Sequence, residues 1–474
     1  MIDISNLTIK DLNNHLRNGD FTVRDLATAY LENIKSKNSE INAYLEIYDD
    51  VLSQADAIDE KIKNGDIKQL SGLPLAIKDN ILIEGRKATS ASKILEGYIA
   101  PYDATVIKKL KEQDVLFIGR VNMDEFAMGG STENSAFGVT KNPLDTSRVS
   151  GGSSGGSVAA VAMNGALASL GSDTGGSVRQ PSSFCGTVGL KPTYGGVSRY
   201  GLMAMGSSLD VIGPITKTVT DSEILFNTIK GADKMDSTTY VENIYPKKTV
   251  KEKMTIGVPY HILEKDGLSP EAKKNFDESI EKLKQLGYEI KDIKLPNIDY
   301  SLAVYYILMP AEVSSNLARF DGVRFGLHVD GKNLLEDYMK TKGQGFGQEV
   351  RRRILIGTYV LSAGYADAYY NKALALRQKI SEDFDKAFME VDAIVTPTTP
   401  GTAFKIGEKI NDPLSLYLED VFTVPANIVG IPAISIPSGE VSKDGVSLPL
   451  GLQIMAPHDC ENILFHIGKK FKGE

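Results

Sequence analysis

The sequence has 474 residues, 42% of them hydrophobic and 24% charged, a balance that excludes a disordered or low-complexity chain. A net charge of −8 at pH 7 excludes a strongly basic nucleic-acid-binding chain, and two cysteines are too few for a disulfide framework. No run approaches the roughly 18 apolar residues of a membrane-spanning helix, and the first residues do not have the pattern of a signal peptide. These features predict a globular cytoplasmic protein.

Residues 1–65 are predicted to form a helical N-terminal arm. The segment from Thr22 to Asp25 has the pattern of a capping box, and an apolar helical run follows it. A second helix is predicted from about Asp50 to Asn64, because Gly65 ends the pattern. We expect this arm to pack on the rest of the protein or to contact a partner.

Strand and helix patterns alternate through residues 66–230 and predict a sheet that helices cover on both faces. The first strand-like run, residues 75–83, contains Lys78, and a predicted helix at 105–113 precedes a strand at 115–118. From these residues alone, Lys78 is more simply a surface lysine on an edge strand.

Glycine is concentrated between Gly129 and Gly213, where 18 of the 44 glycines fall. Two Gly-Gly-Ser turns, residues 151–153 and 175–177, stand on either side of an apolar helix predicted at 157–163. A flexible linker would not contain such a helix, and glycine permits backbone conformations that a Cβ forbids. Two serine hydroxyls on glycine turns, with few charges nearby, indicate the floor of a catalytic site.

Two other catalytic patterns bear on this stretch. No glycine has the spacing of a Walker phosphate loop. Residues 151–155 match the nucleophile elbow G-x-S-x-G with Ser153 as nucleophile, but a polar loop is predicted at 142–148, where an elbow needs an apolar strand. A Ser-His-Asp arrangement would then use a later histidine such as His458 or His466. The motif alone does not exclude this Ser-His-Asp alternative.

The second half of the chain is predicted to complete the same domain. Residues 231–300 indicate a peripheral α/β unit with strands at 254–258 and 288–295 and a helix that Ser269 and Pro270 open. In residues 301–474, helices fill most of 333–390, including a long run over 364–391. Strands at 391–395, 427–436 and 448–454 then complete the sheet and a substrate pocket. The expected fold is α/β, a single domain with a large mixed β-sheet core flanked by helices on both faces.

The run G-G-S-S-G-G-S, followed by G-S-D-T-G-G-S-V-R-Q-P-S, resembles the amidase signature family. The resemblance continues upstream at 72–81 and downstream at 189–195, and it covers essentially the whole chain. Within the family, residues 122–132 and 197–201 are most similar to the A subunits of glutamyl-tRNA(Gln) amidotransferases. The resemblance implies the amidase signature fold and hydrolysis of an amide.

The resemblance also implies a catalytic set. Ser177 would be the nucleophile, Ser153 a bridging serine after a cis peptide bond, and Lys78 the base. A base must be neutral, and apolar surroundings lower the pKa of a lysine. Backbone N–H groups of the second turn would bind the oxyanion, namely those of Thr174, Gly175, Gly176 and Ser177.

Glutamine is the substrate that the resemblance implies. Arg353 would pair with its α-carboxylate, Asp420 would face its α-ammonium, and Tyr305 or the adjacent Tyr306 would line the pocket. The residues do not decide whether asparagine also donates its amide.

The resemblance implies a heterotrimer in which the ammonia serves another subunit. This chain would need no cofactor or metal. The B subunit would use ATP and Mg²⁺ to amidate Glu-tRNA(Gln), and the C subunit would complete the complex, which reaches the misacylated tRNA. Asp-tRNA(Asn) is a further acceptor that the residues neither require nor exclude. A stand-alone amidase for another small amide and a non-catalytic scaffold are alternatives, although intact Lys78, Ser153 and Ser177 argue against the scaffold.

Overall fold

The computed structural model describes residues 2–241, 244–246, 248–264, 267–409 and 412–474. The unit predicted at 231–300 therefore lies partly outside the described residues, at 242–243, 247 and 265–266. The strands of the described chain are β1 (Tyr44–Ile47), β2 (Pro74–Lys78), β3 (Leu116–Val121), β4 (Lys141–Asn142), β5 (Asp145–Val149), β6 (Ala168–Asp173), β7 (Val188–Lys191), β8 (Val211–Thr216), β9 (Thr255–Val258), β10 (Glu289–Asp292), β11 (Ala393–Pro397), β12 (Ala433–Lys443) and β13 (Val446–Met455).

One large mixed sheet forms the centre of the fold. Its eleven strands follow the order β1-β3-β2-β6-β8-β7-β12-β13-β11-β9-β10, while β4 and β5 form a separate two-stranded ribbon. Strand β2 runs parallel to both β3 and β6, and β9 runs parallel to β10 and β11. The remaining pairs in the large sheet are antiparallel. The predicted mixed sheet is confirmed.

Helices surround this sheet. Their bounds are α1 (Ile9–Asn18), α2 (Val23–Ile41), α3 (Val51–Lys63), α4 (Thr105–Lys111), α5 (Gly155–Ala162), α6 (Arg179–Cys185), α7 (Val219–Ile229), α8 (Tyr260–Leu263), α9 (Pro270–Gln285), α10 (Ser301–Asn316), α11 (Leu334–Gly345), α12 (Gln348–Leu361), α13 (Asn371–Glu390), α14 (Pro413–Tyr417), α15 (Val424–Val429) and α16 (Glu461–Lys472). Among the described residues, no helix combines the length and apolar character that a membrane crossing requires.

The N-terminal arm is part of the main core. The capping box predicted at Thr22 is present, and α3 closely matches the second predicted helix. The arm also contributes β1, which pairs with β3 at one edge of the sheet and which the helical prediction missed. Buried side chains of α1 and α2 join the large hydrophobic cluster around the sheet, among them Leu12, Leu26 and Tyr30. The arm is therefore held by packing against the sheet.

Three local predictions were wrong. The segment at 142–148 is not a polar loop, because most of it forms the ribbon β4–β5, whose polar side chains conceal its strand character. The segment at 427–436 begins within α15, which ends at Gly430, and only then enters β12. The long helix predicted over 364–391 begins later: a π-helical turn occupies Ala366–Tyr370, and α13 starts at Asn371.

Candidate active site

Lys78 lies at the end of a central strand. Because β2 lies between β3 and β6, Lys78 is completely buried rather than exposed on an edge, and the simpler expectation of a surface lysine was wrong. Its Nζ donates to Ser153 Oγ at 2.8 Å, Ser154 Oγ at 2.8 Å and Ser172 Oγ at 2.9 Å. The sheet thus places the amine among three serine hydroxyls.

Burial has a large effect on this amine. Desolvation lowers the pKa of Lys78 to about 7, and the charges of Asp124, Asp173 and Asp210 only partly oppose it. An ordinary exposed lysine has a pKa of about 10.4. The Lys78 amine can therefore be neutral near neutral pH, as a proton acceptor must be.

Ser153 stands on a loop that neighbouring groups hold from both sides. The Gly152–Ser153 peptide bond is cis, as the resemblance implied. The Gly152 N–H donates to Gln180 Oε1 at 3.0 Å, and the Ser153 carbonyl accepts from the Asp124 N–H at 3.2 Å. A Cβ on Gly152 would collide with the Asp124 carboxylate, so only glycine fits beneath Ser153.

Ser177 lies on the turn that connects β6 to α6. Its carbonyl accepts from the Ser154 N–H at 3.1 Å, which joins the two glycine-serine turns through their backbones. The residue is 8% exposed, whereas Ser153 and Lys78 are 0% exposed. Of the three predicted catalytic residues, Ser177 is therefore the one that a substrate reaches first.

The Asp173 carboxylate shapes the nucleophile turn. It accepts from the backbone N–H groups of Gly176 at 2.9 Å and Val178 at 3.1 Å, and from Arg179 Nη2 at 2.9 Å and Nε at 3.0 Å. Burial alone would raise the pKa of Asp173, but Arg179, Lys191 and Asn427 together hold this pKa below its ordinary range. The ionised Asp173 carboxylate is thus hydrogen-bonded to the backbone of the turn that carries Ser177.

This contact bears on the predicted oxyanion donors. The Gly176 N–H points to Asp173, so it is already engaged. The backbone N–H groups of Thr174, Gly175 and Ser177 remain as the candidates on this turn. The Thr174 hydroxyl donates to Asp210 at 2.7 Å, which fixes the first residue of the turn.

Arg353 lies on α12 in a buried, aromatic environment. The residue is 3% exposed, and its Nε donates to Glu349 Oε1 at 2.8 Å. Its guanidinium carbon lies 5.6 Å from the ring centre of Tyr306 and 5.5 Å from that of Tyr417. The Tyr417 hydroxyl also donates to Glu349 at 2.8 Å. Arg353 is therefore held in one orientation and does not belong to a solvated helix face.

Tyr305 and Asp420 approach the nucleophile turn from other elements. A Cβ on Gly175 would lie 2.8 Å from the Tyr305 hydroxyl, so the ring packs directly on this glycine. The hydroxyl of Thr423 donates to the Gly175 carbonyl at 2.7 Å, and the Thr423 N–H donates to the Asp420 carbonyl at 3.1 Å. Burial raises the pKa of Asp420 to about 8, and the positive charge of Arg353 opposes this rise. Tyr305 thus contacts the turn, whereas the adjacent Tyr306 packs beside Arg353.

Sequence reasoning missed several residues that support the site. The Asp124 carboxylate accepts from the Thr132 N–H at 2.9 Å and lies beside Gly152. The Asp210 carboxylate accepts from the Met205 N–H at 2.9 Å. Burial raises the pKa of each of these two carboxyls to about 6. In the sequence, the signal that could have identified these residues was an acidic side chain in a segment of low charge. Only the fold shows which carboxylate lies near Lys78.

The histidine alternative has no support in the geometry. Ser153 Oγ bonds to Lys78 Nζ, while His458 Nε2 lies 3.2 Å from the Val429 carbonyl oxygen and its ring stacks on Tyr245 at 4.8 Å. The basic partner of Ser153 is therefore a lysine.

Comparisons with known proteins show the family to which the chain belongs. The family model for amidases matches residues 25–465. The chain is 51% identical to an A subunit of glutamyl-tRNA(Gln) amidotransferase, the one numbered 2, of Clostridium acetobutylicum, with 100% of both chains covered. It is also 51% identical to the A subunit of glutamyl-tRNA(Gln) amidotransferase of Thermoanaerobacter pseudethanolicus, covering 99% of this chain and 97% of that protein.

Solved structures of related proteins have the same fold. The A subunit of glutamyl-tRNA(Gln) amidotransferase from Thermotoga maritima matches with a TM-score of 0.79 at 44% identity, covering 100% of this chain and 94% of that one. A solved amidase matches with a TM-score of 0.82 at 28% identity, covering 98% and 99% of the two chains. The fold and the resemblance predicted from the glycine-serine motifs are thereby confirmed. In sequence and in fold, the chain belongs to the amidase family.

Proposed function

We propose that this chain is the glutaminase subunit of a glutamyl-tRNA(Gln) amidotransferase. The observation that carries the proposal is a buried Lys78 amine bonded to Ser153, on a loop whose Ser154 N–H donates to the carbonyl of Ser177. Full-length identity of 51% to the A subunits of two such enzymes supports the choice of this enzyme within the family.

The proposed hydrolysis uses these three side chains in sequence. Ser177 Oγ attacks the side-chain amide carbon of glutamine, its proton moves to Ser153, and the proton of Ser153 moves to neutral Lys78. The oxyanion accepts hydrogen bonds from the backbone of the nucleophile turn, where each such donor contributes about 3 kcal/mol in the transition state.

The ammonia then leaves with the returned proton. Lys78 gives its proton back through Ser153 to the amide nitrogen, the C–N bond breaks, and a γ-glutamyl ester remains on Ser177. Water attacks this ester along the same proton path, which releases glutamate and restores the Ser177 hydroxyl. Atoms and charge balance without a metal or a cofactor on this chain.

Glutamine recognition is assigned to the groups around the turn. Arg353 offers a guanidinium for the α-carboxylate, and its orientation by Glu349 is suited to a fixed ligand. Asp420 would receive the α-ammonium, whose charge stabilises the carboxylate form. Tyr305 would bound the pocket beside Gly175.

The ammonia is assigned to a partner protein within a cytoplasmic heterotrimer. Relatives named as A subunits imply further subunits, and we assign ATP and Mg²⁺ to the B subunit, with the C subunit completing the complex. The B subunit would amidate Glu-tRNA(Gln), and any use of Asp-tRNA(Asn) would depend on that same protein. We expect a protected path for ammonia, because ammonia in neutral water is mostly protonated and unreactive.

The test uses the assembled complex with charged tRNA and ATP. The Ser177→Ala complex should lose amidation from glutamine but keep amidation from added ammonium chloride, because only the ammonia source is damaged. A matched control is Ser157→Ala, which alters a buried serine of the same glycine-rich stretch that bonds to the Leu170 carbonyl and not to Lys78. Strong glutamine hydrolysis by the lone chain, unchanged by partners and tRNA, would instead favour a stand-alone amidase.

A further inference from the structure

Glu125 is a buried carboxylate that the proposed reaction does not use. It follows Asp124 in a short 3₁₀ turn, Glu125–Ala127, and is 2% exposed. One oxygen accepts from the Ser92 hydroxyl, and the other accepts from the Gly347 N–H at 2.8 Å. A buried carboxylate is costly unless it is paired or hydrogen-bonded, and its partners here lie on two distant segments.

Gly347 is the capping residue immediately before α12. A Cβ on this residue would collide with Glu125 Oε2, so glycine is what permits the close approach. The first N–H groups of a helix lack partners within the helix, and a negative charge is favourable at this end. Glu125 therefore fixes the start of α12 by a hydrogen bond to the residue before it.

Other contacts hold the same junction between α11 and α12. The Ser92 hydroxyl also approaches the Gly345 carbonyl at 3.2 Å. The ring of Phe126, the residue after Glu125, packs edge-on against Phe346 with centroids 5.7 Å apart. The segment that contains Glu125 thus contacts the junction at residues 345–347 and helps to hold it in place.

This segment also contacts the catalytic loop. The N–H of Asp124 donates to the Ser153 carbonyl at 3.2 Å, and the Asp124 carboxylate lies beside Gly152. Two consecutive acidic residues thus connect different parts of the site: Asp124 contacts the loop of Ser153, and Glu125 contacts the helix of Arg353. Arg353 lies six residues beyond Gly347, about 9 Å along the helix.

We propose that Glu125 is a positioning residue that sets the place of Arg353 relative to the serine-lysine centre. The proposal rests on the proposed recognition of the glutamine α-carboxylate by Arg353. Glu125 touches neither substrate nor reacting atoms; it acts through α12. Loss of its carboxylate should displace the carboxylate-binding end of the pocket and leave the hydrolytic centre in place.

The test compares three amides with the assembled complex. Glutamine and glutaric acid monoamide carry the carboxylate that Arg353 would bind, whereas 4-aminobutanamide lacks it. For Glu125→Ala we expect KM to rise at least about tenfold for the first two, the scale of a lost hydrogen bond to a charged group. The kcat for all three amides and the KM for 4-aminobutanamide should change less than about twofold. Ser92→Ala should move the same constants in the same direction, and Glu125→Gln, which keeps an acceptor oxygen, should recover most of the loss.

Two further variants make the result specific. In an Arg353→Ala background, Glu125→Ala should add no further loss, because the two residues act on one interaction. Glu133→Ala is the matched control, since the Glu133 carboxylate also accepts a backbone N–H, from Gly407 at 2.7 Å, on a different loop. Equal losses on all three amides, or additive losses in the Arg353→Ala background, would overturn the positioning role. A wild-type complex that does not hydrolyse glutamine would instead refute the proposed function.

Discussion

The pH dependence of hydrolysis gives a direct test of Lys78 as the base. Burial lowers the pKa of Lys78 to about 7, so about 90% of its amines are neutral at pH 8, against about 0.4% for a lysine of ordinary pKa. The difference is roughly 200-fold in the concentration of competent base. We expect kcat for glutamine to rise with pH and to reach half its plateau near pH 7.

The variant Asp124→Asn distinguishes Lys78 from Asp124, a carboxyl that titrates nearby. Asp124 is the charge that most strongly opposes the lowering of the Lys78 pKa. Its neutralisation should therefore move the acid limb of the kcat profile to lower pH, while the amide keeps an oxygen for the Thr132 N–H. If the limb instead reported Asp124, whose own pKa is about 6, the limb would disappear in this variant.

The assay is glutamate release by the assembled complex at saturating glutamine between pH 5.5 and 9.5. The kcat profile is the proper readout because it reports ionisations within the enzyme-substrate complex, where we expect Asp420 to be paired with the substrate ammonium. The plateau rate of Asp124→Asn can fall without affecting the conclusion. A wild-type profile that stays flat from pH 6 to 9, or a limb that does not move in Asp124→Asn, would refute the assignment of Lys78 as a desolvated base.

The remaining predictions concern the same groups. Ser177→Ala should abolish glutamine hydrolysis, and Ser153→Ala and Lys78→Ala should each reduce kcat by orders of magnitude without adding in the double variant; near-normal turnover of Ser177→Ala would remove the nucleophile assignment. Arg353→Ala should raise KM for glutamine far more than for 4-aminobutanamide, and Asp420→Asn far more for glutamine than for glutaric acid monoamide, because each removes one charge partner; uniform losses would favour a structural role. Lys78→Met should change the pH dependence of stability. The folded pKa of Lys78 is below its unfolded value, so wild type gains stability as pH rises from about 7 to about 10.5. This gain amounts to roughly 5 kcal/mol, and Lys78→Met should lack it; parallel melting-temperature profiles of the two proteins from pH 6 to 10 would contradict this.

Much of the fold could be predicted because local patterns and tertiary packing agree. The capping box at Thr22 and the Ser269-Pro270 start of α9 formed as predicted, since side-chain caps and proline at the first turn act locally. Strand β1 and the start of α15 were missed, because a four-residue strand at a sheet edge and a six-residue helix give little periodicity.

Some parts of the site could be predicted from the residues alone, and others only from the family resemblance. The two glycine-serine turns marked its floor from the residues alone, but Lys78 was identified only by resemblance. Its burial depends on β2 lying between β3 and β6, and strand pairing over that separation is not visible in a single sequence. Asp124 and Glu125 were missed for the same reason, because their partners are distant backbone groups. Arg353 was identified only by resemblance too, and its neighbouring arginines concealed which of the three is buried.

The sheet explains why these residues meet. Strands β2 and β6 are parallel neighbours, with Leu75 opposite Ala168 and Ile77 opposite Leu170. Parallel neighbours end at the same edge of a sheet, and ligands of open α/β sheets bind at such ends. Lys78 closes β2, and the nucleophile turn follows β6, so both parts of the proposed centre start from the same edge of the sheet. The proposed amide-cleaving centre is therefore built into the core, where burial lowers the pKa of Lys78. The groups assigned to glutamine recognition come from α12 and the segment before α15, outside that core. Because of this division, we expect mutations to change substrate choice independently of hydrolysis. A contact such as that of Glu125 with Gly347 is then needed to hold the two parts in a fixed relative position.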